Sequence, residues 1–269
     1  MCKKLKTLLS IAGSDPTGGA GIQADIRAGN CLGVHVLTAI TTLTAQNSKG
    51  VSMVFPIPHQ KLELQLNAII EEIRPDAIKI GILGNIENLK VTANFLKKFE
   101  KRIPVIIDPV LKATADNSVF SDNLSGLLDN YKKHLLPLAS VITPNLNELN
   151  ILTGNYYNKS NLSSEILKDL NVESLIITGV DFSNKLIKDV LVLKDQIYCI
   201  SHKKINSDNL HGTGCVFSSL LASFQALGYN LFDAFKASNH LMNNLIKKSM
   251  GYSLGISNYG PLNINKYSI

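Results

Sequence analysis

The chain has 269 residues, 45% of them hydrophobic and 18% charged, with a formal net charge of +6. That composition excludes a disordered or acidic-tail protein, and a chain this long buries about 70% of the surface it exposes when unfolded, so no metal or disulfide is needed to hold a core. Four widely spaced cysteines, Cys2, Cys31, Cys199 and Cys215, form no CxxC pair and argue against a zinc ribbon and a secreted disulfide framework.

The first nine residues are basic and then apolar, but Gly13, Ser14 and Asp15 soon interrupt them. There is no cleavage pattern of a signal peptide and no run of about 18 apolar residues, so a cytoplasmic protein with no membrane association is expected. The positive charge reads as a solvated surface, in part suited to an anionic small substrate. The lysine clusters are short and lack interleaved aromatics, so nucleic acid is not an expected partner.

In chain order, residues 8–12 are an apolar run that ends in Gly13-Ser14-Asp15-Pro16, and 19–32 read as a helix. Residues 34–45, rich in Thr, Val and Ile, suit a strand. Leu62, Leu66, Ile69, Ile70 and Ile73 recur at helical spacing until Pro75 stops them. A strand is predicted over 77–83, a helix over 86–99, a strand over 104–108, a helix over 121–136 and a buried strand over 140–143. After a further helix comes a strand over 175–178. Strand and helix alternating this often imply right-handed crossovers and a largely parallel sheet. Beyond Gly179 the pattern changes: 189–193 and 196–201 read as an antiparallel hairpin closed by Lys194-Asp195. Two helices, 214–227 and 231–248, finish the chain. No linker, repeat or low-complexity segment divides it, so one α/β domain over 1–269 is expected.

Three segments can carry chemistry. Gly13-Ser14-Asp15-Pro16-Thr17-Gly18-Gly19-Ala20-Gly21 lies between a strand and a helix, where open α/β sheets bind ligands, although it is neither a P-loop nor a GxGxxG. His211-Gly212-Thr213-Gly214-Cys215 opens a helix, so its amides and the helix dipole form an anion hole suited to phosphoryl transfer. Cys215 falls in the first turn, where a thiol pKa tends to drop. Asp108, at the end of one strand, and Asn145 and Glu148, after another, are placed to hold hydrated Mg²⁺ between phosphates; for Glu148 alone, a helix-start carboxylate serves equally well. Asp25 and Gln46 are polar groups near the first strands, able to read the edge of a heteroaromatic ring or to serve as ordinary caps. His35, His59, His134, His202 and His240 show no metal-ligand spacing and read as structural.

In this order the segments resemble the hydroxymethylpyrimidine/phosphomethylpyrimidine kinases of thiamine biosynthesis, a branch of the ribokinase-like superfamily. The resemblance runs from Leu8 to about Pro261 and rests on IAGSDPTGGAGIQADI, TAQNSKGV, IKIGILG, IDPV, ITPNLNE and HGTGC, with YGPLN near the end. It implies a three-layer αβα fold with a central, mainly parallel sheet and a small antiparallel hairpin. It implies ATP-dependent phosphorylation of the hydroxymethyl group of 4-amino-5-hydroxymethyl-2-methylpyrimidine, then of the monophosphate to the pyrophosphate. It places Gly13, Asp25, Gln46, Ile82 and Val110 around the pyrimidine, with Asp25 and Gln46 bonded to the ring. Gly212, Thr213 and Gly214 match the anion hole, and Asn145 and Glu148 the NxxE metal motif. Asp108 matches an acidic residue near the phosphates and Mg²⁺. Cys215 stands where the wider superfamily carries an aspartate base. The resemblance leaves room for a monovalent cation and for a homodimer.

Two positions depart from the pattern. The family commonly has Lys-Gly-Gly-His where this chain has Thr178-Gly179-Val180-Asp181, so Thr178 brings a hydrogen bond but no charge to the ATP phosphates. Ile82 replaces a common methionine, a modest change of pocket shape. A pyridoxal kinase of the same fold is the nearest alternative, and Gln46 with the short Gly13–Gly21 segment favours the pyrimidine. A weakly catalytic pyrimidine or nucleotide sensor is the other; intact HGTGC and NxxE segments weigh against it.

Overall fold

The computed structural model describes residues 4–47, 50–99, 103–111, 124–183, 185–207, 209–254 and 260–264. Consecutive apolar residues in the early strands need cover on both faces of a sheet, and they receive it. The strands are β1 (Thr7–Ser14), β2 (His35–Asn47), β3 (Gly50–Pro56), β4 (Ala77–Ile80), β5 (Val105–Ile107), β6 (Val141–Ile142), β7 (Leu175–Ser183), β8 (Leu186–Val192) and β9 (Ile197–Lys203). They form one sheet in the order β3-β2-β1-β4-β5-β6-β7-β8-β9. Pairing is parallel from β2 through β7 and antiparallel for β2–β3, β7–β8 and β8–β9.

The helices are α1 (Gly21–Cys31), α2 (His59–Glu72), α3 (Ile86–Lys97), α4 (Leu124–Asn130), α5 (Leu146–Thr153), α6 (Glu165–Leu170), α7 (Thr213–Ala226) and α8 (Leu231–Ser249). A π-helical turn over Tyr131–Leu135 continues α4. Alternate strand residues feed two cores. Leu8, Ile106 and Ile176 pack with Ala24 and Ala28 of α1, Leu220 and Leu221 of α7 and Phe235 of α8. Leu9, Val105, Ile107 and Ile177 point the other way, to Leu62, Leu66, Leu89, Leu149 and Ile166. The result is the three-layer αβα arrangement expected. Among the described residues no helix is long and apolar enough to cross a membrane.

The structure departs from the sequence reading mainly at the sheet edges. The sequence reading has no strand over 50–56; β3 folds back on β2, with Asn47 opposite Gly50 and Thr42 opposite Pro56, and only Val51 in it is buried, so GVSMVFP carries no clean period of two. Residues 48 and 49 lie outside the described residues. At the opposite edge the expected hairpin is present, but β8 also pairs with β7, which runs on to Ser183. The strand expected over 77–83 stops at Ile80: Gly81 still donates its N–H to Ile11 O, and Ile82 and Leu83 make no further pairing with β1. Of the helix expected over 121–136, residues 121–123 lie outside the described residues.

The strand order reverses between β1 and β4, since β1 connects to β2 on one side and the later strands add on the other. Such a switch point opens a crevice at the carboxyl ends of the strands.

Candidate active site

Beyond β1 the chain turns sharply around one carboxylate. Asp15 Oδ1 accepts from Thr17 N and Thr17 Oγ1, both at 2.8 Å; Oδ2 accepts from Ala20 N and lies 2.9 Å from His211 Nε2. Burial pushes this carboxyl up, but the bonds from His211, Thr17 and Ala20 outweigh it and hold the pKa at about 2. Gly13 has no room for a side chain: a Cβ there would lie 2.5 Å from Ile82 Cγ2 and 2.7 Å from Thr42 Cγ2.

The second glycine segment docks on the first. Gly212 is the residue before α7 and has φ +78°, and a Cβ on it would strike the Gly19 carbonyl oxygen. Thr213 N donates to Leu210 O at 3.3 Å, so the Gly214 and Cys215 amides are the remaining donors of the first turn. A Cβ on Gly214 would lie 3.9 Å from Asp108 Oδ2, which sets the anion hole directly beside a carboxylate.

Asp108 follows β5 and donates its N–H to Ile80 O at 2.8 Å. Its Oδ2 accepts from Ser218 Oγ at 3.0 Å, and the Cys215 thiol also bonds to it. Burial raises its pKa, against the opposing pull of Lys79 and Ser218. Glu148 is pushed up to about 8, by burial first and by the charge of Asp108 second. Its helix-start role is real as well. Glu148 Oε2 accepts from Asn145 N and Asn145 Oδ1 accepts from Glu148 N, both at 2.9 Å, a complete capping box at the start of α5. Asn145 bridges to Thr178 on the neighbouring strand, whose N–H donates to Pro144 O. Gly179 N donates to Asp189 Oδ1 at 2.7 Å.

One cavity of about 220 Å³ joins these pieces. Gly13, Gln46, Ile82 and Val110 line it, as do Asp108, Asn145, Glu148 and Thr178, and the run Gly212, Thr213, Gly214 and Cys215. Two expectations need correction. Asp25 does not line the cavity. It has no exposure, and Ser10 Oγ, Ser219 Oγ and Lys79 Nζ occupy its oxygens at 2.5 to 3.1 Å, so it has no edge left to offer a ring. The Cys215 thiol is not lowered by its helix. Burial raises it to about 12, with Asp108 and Asp25 adding to the rise, and Lys79 and the Gly21 amide only partly oppose this. It rests as a neutral thiol beside Asp108.

Lys79, Asp15 and His211 were assigned no role from sequence, yet all line the cavity. Lys79 was legible as one cation inside the apolar strand Ala77-Ile78-Lys79-Ile80. Asp15 was legible as an acid two residues before Thr17, the spacing of a self-bonded turn. His211 gave no signal of its own, since its partners Asp15 and Gln46 are 196 and 165 residues away.

Comparison with known proteins fits this geometry. Residues 15–263 match the family model described as phosphomethylpyrimidine kinase. The chain is 32% identical over 266 residues to the hydroxymethylpyrimidine/phosphomethylpyrimidine kinase of Staphylococcus aureus (strain MRSA252), covering 97% of this chain and 94% of that protein. Among solved structures it is similar to an ADP complex of Bacillus subtilis pyridoxal kinase, with TM-score 0.82 and 30% identity over 97% of this chain and 98% of the other. It is also similar to the phosphomethylpyrimidine kinase of Clostridium difficile 630, with TM-score 0.73 and 29% identity over 88% and 98% of the two chains.

Proposed function

The chain belongs to the phosphomethylpyrimidine kinase family and is a phosphotransferase, and from that premise we propose that it passes the γ-phosphoryl group of ATP to the hydroxymethyl group of 4-amino-5-hydroxymethyl-2-methylpyrimidine, and a second phosphoryl group to the resulting monophosphate. The observation that carries this reading is the single cavity in which a helix N-terminus at Gly212–Cys215, the carboxylates Asp108 and Glu148, and the amide of Gln46 all meet. A positive helix end stabilises charge that spreads over a transferring phosphoryl group. We read residues 1–269 as one kinase domain.

Each residue then has work its chemistry allows. Gly13, Ile82 and Val110 shape the slot for the ring, and Gln46 bonds its edge. Asn145 and Thr178 face the nucleotide phosphates. Thr178 supplies no charge, so positive potential comes from the described groups that line the cavity, Lys79 and the α7 N-terminus. Asp108 is buried and Glu148 half-buried, the charge of Asp108 raises the proton affinity of Glu148, and hydrated Mg²⁺ fits such a pair when phosphates complete its shell. When bound, the ion neutralises phosphate charge. The substrate hydroxyl proton has two neighbouring acceptors, the Asp108 carboxylate directly or Cys215 after its own proton has moved to Asp108; a thiol at about 12 does not begin as the base.

A pyridoxal kinase is the second reading, supported by the likeness to the Bacillus subtilis pyridoxal kinase. Purified protein with Mg·ATP, assayed side by side on the pyrimidine and on pyridoxal, decides between them. A higher kcat/KM for the pyrimidine is expected, and equal or reversed values would transfer the assignment to pyridoxal.

A further inference from the structure

The amide of Gln46 stands between two partners, and the polarity of both contacts is wrong. Its Nε2 is 3.2 Å from His211 Nε2, and its Oε1 is 3.4 Å from Thr44 Oγ1. His211 Nε2 also lies 2.9 Å from Asp15 Oδ2. Asp15 is an ionised carboxylate and only accepts, so His211 Nε2 carries a proton and directs it there. A protonated ring nitrogen has no lone pair with which to accept an N–H from Gln46. Thr44 has a single hydroxyl proton, and the Ser14 carbonyl oxygen at 3.0 Å takes it. Among the described contacts of Gln46, none then donates to its Oε1.

Half a turn of the amide exchanges its oxygen and nitrogen and repairs both contacts at once. Oε1 then accepts from His211 Nε2–H, shared with Asp15, and Nε2 donates to the lone pairs of Thr44 Oγ1. The second N–H of Gln46 is left for the cavity. The imidazole itself cannot swing away. Its Cδ2 is packed so closely on Gly19 that a Cβ there would strike it, and the His211 backbone is itself held by a β-bridge to Pro261.

We propose that His211, anchored by Asp15, is a specificity-determining positioning residue that fixes Gln46 as a hydrogen-bond donor toward the substrate, so that the site selects a ring presenting an acceptor nitrogen. This rests on the reading that Gln46 faces the pyrimidine. The selectivity is set one residue behind the contact: the negative charge of Asp15 determines the proton on His211, and that proton determines which end of the amide the ligand meets.

The test has two arms on the full chain. ¹⁵N NMR of histidine-labelled protein, with the His211 signals assigned by their loss in His211→Gln, reads the ring nitrogens across the titration. Nε2 is expected to stay protonated in the neutral ring; a neutral ring with a bare Nε2 overturns the proposal. The second arm measures Kd for the pyrimidine and for 2-amino-4-methylbenzyl alcohol, which replaces both ring nitrogens by C–H. The parent should discriminate by about tenfold or more, the size of one lost hydrogen bond to a buried group. His211→Gln, which keeps an N–H for Asp15, should retain that ratio, and His211→Leu should bring it close to one. Equal affinities in the parent, or an unchanged ratio in His211→Leu, would overturn the proposal; if His211→Leu does not fold, the parent ratio and the NMR arm still decide. Should the parent bind no pyrimidine, the functional reading fails, and the NMR arm still decides the hydrogen-bond order on its own.

Discussion

Lys79 Nζ lies 3.0 Å from Asp25 Oδ1, and neither side chain has any solvent exposure. The pair sits beneath the cavity, with Ser10 and Ser219 completing the carboxylate and with Asp108 and Cys215 within electrostatic reach of the ammonium. An acid that the family resemblance assigned to the substrate thus belongs to the foundation of the site. Its charge is what allows a lysine to stay ionised inside a parallel sheet.

Removing one partner strands the other in low dielectric. Lys79→Met should lose about 3–5 kcal/mol of stability in urea denaturation, whereas Lys79→Met with Asp25→Leu should recover most of it. A single variant within about 1 kcal/mol of the parent would show that the pair does not hold the fold.

Glu148→Gln separates the two jobs of that residue. Glutamine can still accept from Asn145 N, so the capping box and the start of α5 should survive. The lost negative charge should raise the Mg²⁺ concentration needed for half-maximal rate and lower kcat, while pyrimidine affinity without ATP stays at the parent value. Kinetics matching the parent at limiting Mg²⁺ would remove Glu148 from the metal site.

Cys215 should be slow to alkylate. With its thiol held up near 12, iodoacetamide labelling at pH 8 should lag far behind that of Cys199, which is exposed, and should keep rising beyond pH 10. Mass spectrometry of the labelled peptides reads both sites in one sample. A Cys215 rate that levels off below pH 8 would restore the resting thiolate.

Asp15 sets a pH window for stability. Its carboxyl ionises at about 2 in the folded chain against a model-peptide value of 3.8, so the unfolded chain binds the proton more tightly. The stabilisation is therefore fully present above about pH 5 and is lost as pH falls from about 4 towards about 2. Asp15→Asn should lower Tm at pH 7 and flatten the fall in Tm between pH 5 and pH 2. Parallel curves for variant and parent would mean that the carboxylate carries none of the acid sensitivity.

The order of apolar runs and helix-period segments was enough to derive a parallel αβα sheet, because residues such as Ile106 and Ile107 must bury opposite faces of one strand wherever the chain lies. The glycine segments and NxxE were equally local: a turn, a helix start and a cap are decided within a few residues, and Asn145 and Glu148 do cap α5. What the sequence could not decide is which polar side chains meet. Asp25 looked like a ligand for a ring and is an internal counter-ion, since Lys79 is 54 residues away in sequence and beside it in the core. Cys215 looked like a thiolate, because a helix dipole can be read from sequence and the desolvation around a thiol cannot. His211 gained its role only when β1, β2 and the start of α7 came together around Asp15 and Gln46. Periodicity reports which side of an element is apolar; the electrostatics of a site depend on distances across the sheet, and tertiary packing alone determines these.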